Sequence, residues 1–197
     1  MSEPLLYSIG YATKPIEVFI AQLKTYAIDA IADVRSVPYS KVFHDYHRET
    51  LAAKLNAIGI HYVYLGEELG PRSKDDAHYD EQRQIQFDRL MRAPLYLSGI
   101  KRLQAGLDKG MRIAVMCAEK DPADCHRSLL IGYQLQRELT INLQHITHEG
   151  KLETQTEMEA RLIHTHGLDN DLFANEHELA DQACKIQCRL KAYRRPE

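Results

Sequence analysis

Short apolar runs alternate with amphipathic segments over the first 150 residues, and this alternation constrains the fold more than any other feature. Leu5–Ile9, Ile28–Val34, Ile60–Leu65, Arg112–Met116 and Asn142–Ile146 have the length and apolar character of buried strands. Between them lie segments with apolar residues at helical spacing. Pro15 opens one that carries Ile16, Phe19, Ile20 and Leu23 on one face, and Glu49–Ile58 forms another that Gly59 stops. Glu81–Arg92 and Leu95–Lys109 read as helices broken at Pro94, and Ser128–Leu139 as the helix after the fourth strand. Gly66–Asp80 reads as a polar loop. Strands alternating with helices imply an α/β fold: a mostly parallel sheet of about five strands with helices on both faces.

After Thr147 the pattern becomes polar. Glu149–His166 reads as partly helical and Leu168–Leu190 as a further helix, ending in a Lys/Arg-rich stretch, Lys185–Arg195. The expected division is an α/β domain over 1–150 and a C-terminal helical extension over 151–197.

Composition excludes several classes. A formal net charge of -3 gives no global field that would demand nucleic acid, although a local basic patch is compatible with it. No apolar run reaches membrane-spanning length, and Met1–Pro4 lacks the basic and apolar parts of a signal peptide. A cytoplasmic location and no membrane partner are therefore expected. The four cysteines, Cys117, Cys125, Cys184 and Cys188, do not make a disulfide scaffold in a chain of 197 residues. No glycine-rich dinucleotide fingerprint follows the first strand, so no nicotinamide cofactor is indicated, and no other cofactor is expected. Oligomeric state is not legible.

In an open α/β sheet, ligands bind beyond the carboxyl ends of the strands. That edge collects Gly10 and Thr13, Asp33 and Arg35, Gly66 and Glu67, and Cys117 with Glu119. The densest chemistry is Cys117-Ala118-Glu119 through Cys125-His126-Arg127, where a strand passes through a polar loop into a helix. Arg35 and Arg127 have the geometry to hold a phosphate or carboxylate by paired N–H bonds. The expected site binds an anion through Arg35 and Arg127, with Gly10, Thr13, Ser40 and Cys117 lining it. Asp33, Glu119, Cys125 and His126 are the candidate catalytic groups. The bland alternatives are a structural ion pair at Asp33–Arg35, a helix cap at Asp124 and core-facing cysteines. Tyr39–Arg48 mixes rings, cations and histidines suited to stacking a base or a sugar, or is a solvated loop. The tail cysteines, four apart, read as a core-facing pair and His164–His166 as exposed.

Cys117, Cys125 and His126 are also three potential metal ligands, with His44 or His47 as a fourth. Cys-x7-Cys-His is not a standard zinc spacing, so no metal site is expected.

Taken together, Ser8–Thr13, Asp33–Ser40, Gly59–Val63 and Met116–Arg127 resemble the bacterial domain-of-unknown-function family 488 (DUF488), over roughly residues 5–150. The chain departs from the usual Gly-His-Ser-Thr of that family at Gly10-Tyr11-Ala12-Thr13. The resemblance implies an α/β fold and a shared site without naming a substrate. A looser likeness links Asp33-Val34-Arg35 and the strand-end cysteine to rhodanese-like sulfurtransferases, but Cys117 to Arg127 is too long for their catalytic loop and Cys125 too close to Arg127. The leading expectation is a protein that acts on, or binds, a phosphate-bearing small molecule or nucleic acid. The alternatives are a non-catalytic nucleic-acid-binding module and a cysteine-dependent, sulfurtransferase-like enzyme.

Overall fold

The computed structural model describes residues 6–169 and 175–196. Leu5 and residues 170–174, parts of an expected strand and helix, lie outside the described residues, as does Met1–Pro4.

Five parallel strands form the centre of one sheet: β1 (Leu6–Gly10), β2 (Ala30–Asp33), β3 (His61–Tyr64), β4 (Ile113–Cys117) and β5 (Gln144–Ile146). A sixth strand, β6 (Leu152–Thr154), pairs antiparallel with β5, giving the order β3-β2-β4-β1-β5-β6. The helices are α1 (Ile16–Thr25), α2 (Arg48–Asn56), α3 (Gly66–Leu69), α4 (Phe87–Leu90), α5 (Pro94–Asp108), α6 (Tyr133–Leu139), α7 (Gln155–Thr165) and α8 (Glu176–Lys191). α6 is preceded without a break by a π-helical stretch, Arg127–Gly132. Among the described residues no helix is long and apolar enough to cross a membrane.

Successive side chains of a strand point to opposite faces, and the two apolar cores follow that rule. Ile31, Ala114 and Met116 face a layer that holds Phe19 and Leu23 of α1 with Leu51 and Leu55 of α2. Ala32, Val115 and Cys117 face the opposite layer, with Leu103 of α5, Leu135 of α6 and Met158 of α7. The fully buried β1, β2 and β4 are near-continuous apolar runs, as a sheet covered on both faces requires. Gly59, at φ +79°, lets the chain turn back from α2 into β3.

The sheet runs past residue 150, because β6 belongs to it. α7 starts at β6 with a capping box, in which Thr154 accepts from the Glu157 N–H and Glu157 from the Thr154 N–H. The region 81–92 is helical only over α4. Before α4 the chain turns through Arg83, at φ 63°, and pairs with the tail, where the Ile85 N–H donates to the Tyr193 carbonyl at 2.9 Å.

Candidate functional site

β1 and β4 are neighbours, with Gly10 opposite Cys117. The chain leaves β1 for α1 in one layer and leaves β4 for α6 in the other. Adjacent strand ends whose connections diverge make the crevice where open α/β sheets place their ligands. The loop after β4 lies directly across the end of β1, where a Cβ on Gly10 would collide with the Glu119 carbonyl and Arg127 Nη1. Asp121 then accepts from the Ala123 N–H at 2.9 Å and starts a tight turn, Pro122–Asp124, that brings Cys125 back beneath β4.

The result is a cluster. The Cys117 and Cys125 sulfurs are in contact, with their Cα atoms 7.6 Å apart. Cys125 Sγ lies 3.0 Å from Glu119 Oε2 and 3.6 Å from His126 Nδ1. His126 Nε2 lies 3.0 Å from the Val34 carbonyl, which can only accept, so that nitrogen donates and Nδ1 keeps its lone pair. Burial pushes His126 below its usual pKa, so the ring is neutral near pH 7. A cysteine beside an oriented imidazole has the outline of a nucleophile and its base, yet Cys125 is only 2% exposed. Glu119 is the exposed member of the group.

Arg127 does not face outward as an anion receptor. It is 0% exposed, and its Nη1 donates to Cys117 Sγ at 2.7 Å and to the Glu119 carbonyl at 2.8 Å. Nη2 donates to the Lys120 carbonyl at 3.2 Å. Burial lowers its pKa to about 10. Arg35 is likewise engaged: its Nε and Nη2 grip Asp33 at 2.9 and 2.6 Å, and the Tyr62 hydroxyl donates to the same carboxylate at 2.6 Å. Asp33 is 0% exposed and Arg35 stacks over Tyr11. The ends of β2 and β4 are thus tied together by buried polar groups that bond one another, leaving Arg35 Nη1 and Arg127 Nε without partners among the described residues, and His126 links the two through Val34.

Among the described residues no hydrogen bond joins Thr13 or Ser40 to this cluster. Thr13 turns the chain at φ 56°, and Ser40 Oγ accepts from the Val42 and Phe43 N–H groups at 3.3 and 3.0 Å. His47 bonds the Ser40 carbonyl and packs against His44, and neither joins the metal-capable group of Cys117, Glu119 and Cys125. In the Tyr39–Arg48 loop Tyr46 is buried and stacks on Tyr11, whereas Tyr39 is exposed. Glu67 is exposed, and Glu68 is held by Arg102. In the tail Cys184 is buried, and burial raises the Cys188 pKa to about 12.

The tail contributes residues that sequence reasoning did not assign to the site. A cleft of about 190 Å³ opens above Glu119 and His126, and its rim includes Arg72, Asp124, Lys191 and Tyr193. α8 is fastened there by Gln187, which donates to the Ala123 carbonyl at 2.9 Å and to Asp124 at 3.1 Å. Lys191 pairs with Asp124 at 3.1 Å. Arg72 lies over the Tyr193 ring at 4.7 Å, is exposed, and has no carboxylate within ion-pair distance among the described residues. The signal for the tail residues Lys191 and Tyr193 was the run of Lys and Arg in 185–195, which lacked a location until α8 was placed.

The profile of a family described as "Domain of unknown function DUF488" matches residues 15–134, a span that contains the whole cluster except Gly10. Comparison with curated proteins and with solved structures gives no match.

Proposed function

For a chain that belongs to the DUF488 family, whose description names no activity, we propose that the cleft above Glu119 and His126 receives the phosphate of a nucleotide or of a nucleic-acid end. The observation that carries this reading is Arg72. It is an exposed guanidinium without a carboxylate partner, held in place by Tyr193 at the rim of a cleft on the carboxyl edge of the sheet. Lys191 is a second cation, already shared with Asp124. The cleft is smaller than the roughly 300 Å³ and above of sites that enclose a whole drug-sized ligand, so it suits one phosphate with the rest of the ligand outside. The anion reading thereby moves from Arg35 and Arg127, both engaged internally, to Arg72 and Lys191. The proposal includes a cytoplasmic setting, where thiols stay reduced.

Calorimetric titration with inorganic phosphate, a nucleoside monophosphate and a 5′-phosphorylated oligonucleotide tests this. Arg72→Ala is expected to weaken binding about tenfold, the effect of losing one charge-assisted contact of about 1.4 kcal/mol. Affinity is also expected to fall with added salt. No binding by any of the three, or binding that ignores both salt and Arg72, would overturn the reading. Tight binding of the oligonucleotide alone would identify the nucleic-acid form of it.

A further inference from the structure

Arg127 poses a problem of charge. It is wholly buried, and no carboxylate lies within ion-pair distance of it among the described residues. Its side chain bonds two backbone carbonyls and the Cys117 sulfur. A buried cation requires a counter-charge. Glu119, Asp121 and Glu153 supply negative charge from further away, and the Cys117 sulfur is the one side-chain acceptor that Arg127 bonds. The Arg127 backbone N–H lies 3.5 Å from the second sulfur, Cys125 Sγ, so both sulfurs face donors of one residue. Two sulfurs and a carboxylate oxygen then gather at one place, with His126 Nδ1 beside Cys125 Sγ at 3.6 Å.

We infer that Cys117 Sγ, Cys125 Sγ, the Glu119 carboxylate and His126 Nδ1 bind a single borderline-soft divalent cation, with zinc the best match to the donors. The first three donors lie within 4.8 Å of one another. Tetrahedral zinc, with bonds of about 2.0–2.3 Å, sets its ligand atoms roughly 3.3–3.8 Å apart. His126 Nδ1 already stands 3.6 Å from Cys125 Sγ. The cysteine Cα atoms, 7.6 Å apart, lie beyond the roughly 4.4–6.8 Å over which cysteines bond directly, so the backbone leaves room for an atom between the sulfurs. Metal binding requires the two sulfurs, in contact here, to turn apart to that spacing.

The surroundings are those a metal ligand needs. The Val34 carbonyl holds the His126 Nε2–H, fixing the ring with Nδ1 toward the sulfurs. Arg127 donates to Cys117 Sγ, a contact of the kind that supports an anionic sulfur ligand. Binding displaces the two thiol protons to solvent. All four donors come from the end of β4 and the loop that follows it, residues 117–126, so the Cys-x-Glu…Cys-His spacing is read as a single chelating segment. The exposed side of Glu119 leaves the ion next to the cleft. This inference stands whether or not a phosphate binds there.

The test uses the full chain, purified without a metal-affinity step and reduced. Elemental analysis after zinc titration is expected to give one metal per chain, and cobalt substitution to give a thiolate-to-metal charge-transfer band. Cys117→Ser and Cys125→Ser should abolish the band and the stoichiometry, Glu119→Gln and His126→Gln should weaken metal affinity by tenfold or more, and Cys184→Ser should change neither. Because both cysteines are buried core residues whose substitution also tests folding, alkylation of the unaltered protein is the second readout. Zinc should protect Cys117 and Cys125 from iodoacetamide and a chelator should expose them. Less than 0.1 metal per chain after reduction and zinc titration, or alkylation of the pair indifferent to zinc, overturns the inference, as does a Glu119→Gln, His126→Gln double variant with unaltered affinity. Arg72→Ala should retain the metal, which separates failure here from failure of phosphate binding.

Discussion

At the scale of single residues, the site depends on where two guanidiniums point. The sequence placed Asp33, Arg35, Cys117 and Glu119 at strand ends and Cys125, His126 and Arg127 at a helix start, and the fold keeps them there. What it could not convey is direction. Arg127 turns inward because the loop carbonyls of Glu119 and Lys120 and the Cys117 sulfur satisfy it, and these depend on a loop conformation that residue identity does not specify. Asp33 is shielded by Arg35 and Tyr62 in the same way. Asp33→Asn should therefore act mainly on stability. Removing one charge of a fully buried pair costs about 3 kcal/mol, which urea denaturation would read as a lower midpoint. A variant of unchanged midpoint that has lost ligand binding would instead make Asp33 part of the binding machinery.

At the scale of elements, the five parallel strands were legible because each is an apolar run bounded by turn residues. β6 was not: Leu152–Thr154 has three residues, one of them apolar, and exists because β5 offers an edge. The expected helix over 81–92 shrank to α4 because its first half pairs with the tail more than one hundred positions away, a contact without local signature. β5 also carries a buried switch of stability. His145 is fully buried: the Ser8 hydroxyl bonds its Nδ1 at 2.6 Å and its Nε2 bonds Gln155 Oε1 at 3.0 Å. Burial, reinforced by the Arg127 charge, lowers its pKa to about 3. The unfolded chain therefore binds one more proton than the native one between about pH 6.5 and 3, and stability must fall as pH falls through that window. Between pH 6.5 and 4 the loss is about 3 kcal/mol from this residue. His145→Gln should flatten that part of the stability–pH curve, and an unchanged slope in urea titrations would remove His145 as its source.

At the scale of the whole molecule, Arg137 of α6 joins three helices. It pairs with Glu159 of α7 at 2.8 Å and with Asp181 of α8 at 2.9 Å, and Tyr133 donates to the same Asp181 at 3.0 Å. Glu159 is buried, so Arg137→Met leaves a carboxylate without its cation. A loss of about 3 kcal/mol is expected, together with loosening of α8 over the cleft that faster amide exchange in α8 than in α5 would reveal. Equal protection of α8 in the variant would mean that Gln187 and Lys191 anchor it unaided. The pairing of Gly10 with Cys117 has a thermodynamic corollary. One partner leads into the layer of α1 and the other into the layer of α6, so a ligand gripped at that pair exists only when both layers are docked. Its binding energy is then linked to global unfolding, not to the fraying of one loop. Each tenfold of free ligand above its dissociation constant should add about 1.4 kcal/mol to the stability of the entire sheet, and the melting temperature becomes a binding assay for a site whose natural occupant need not be known in advance.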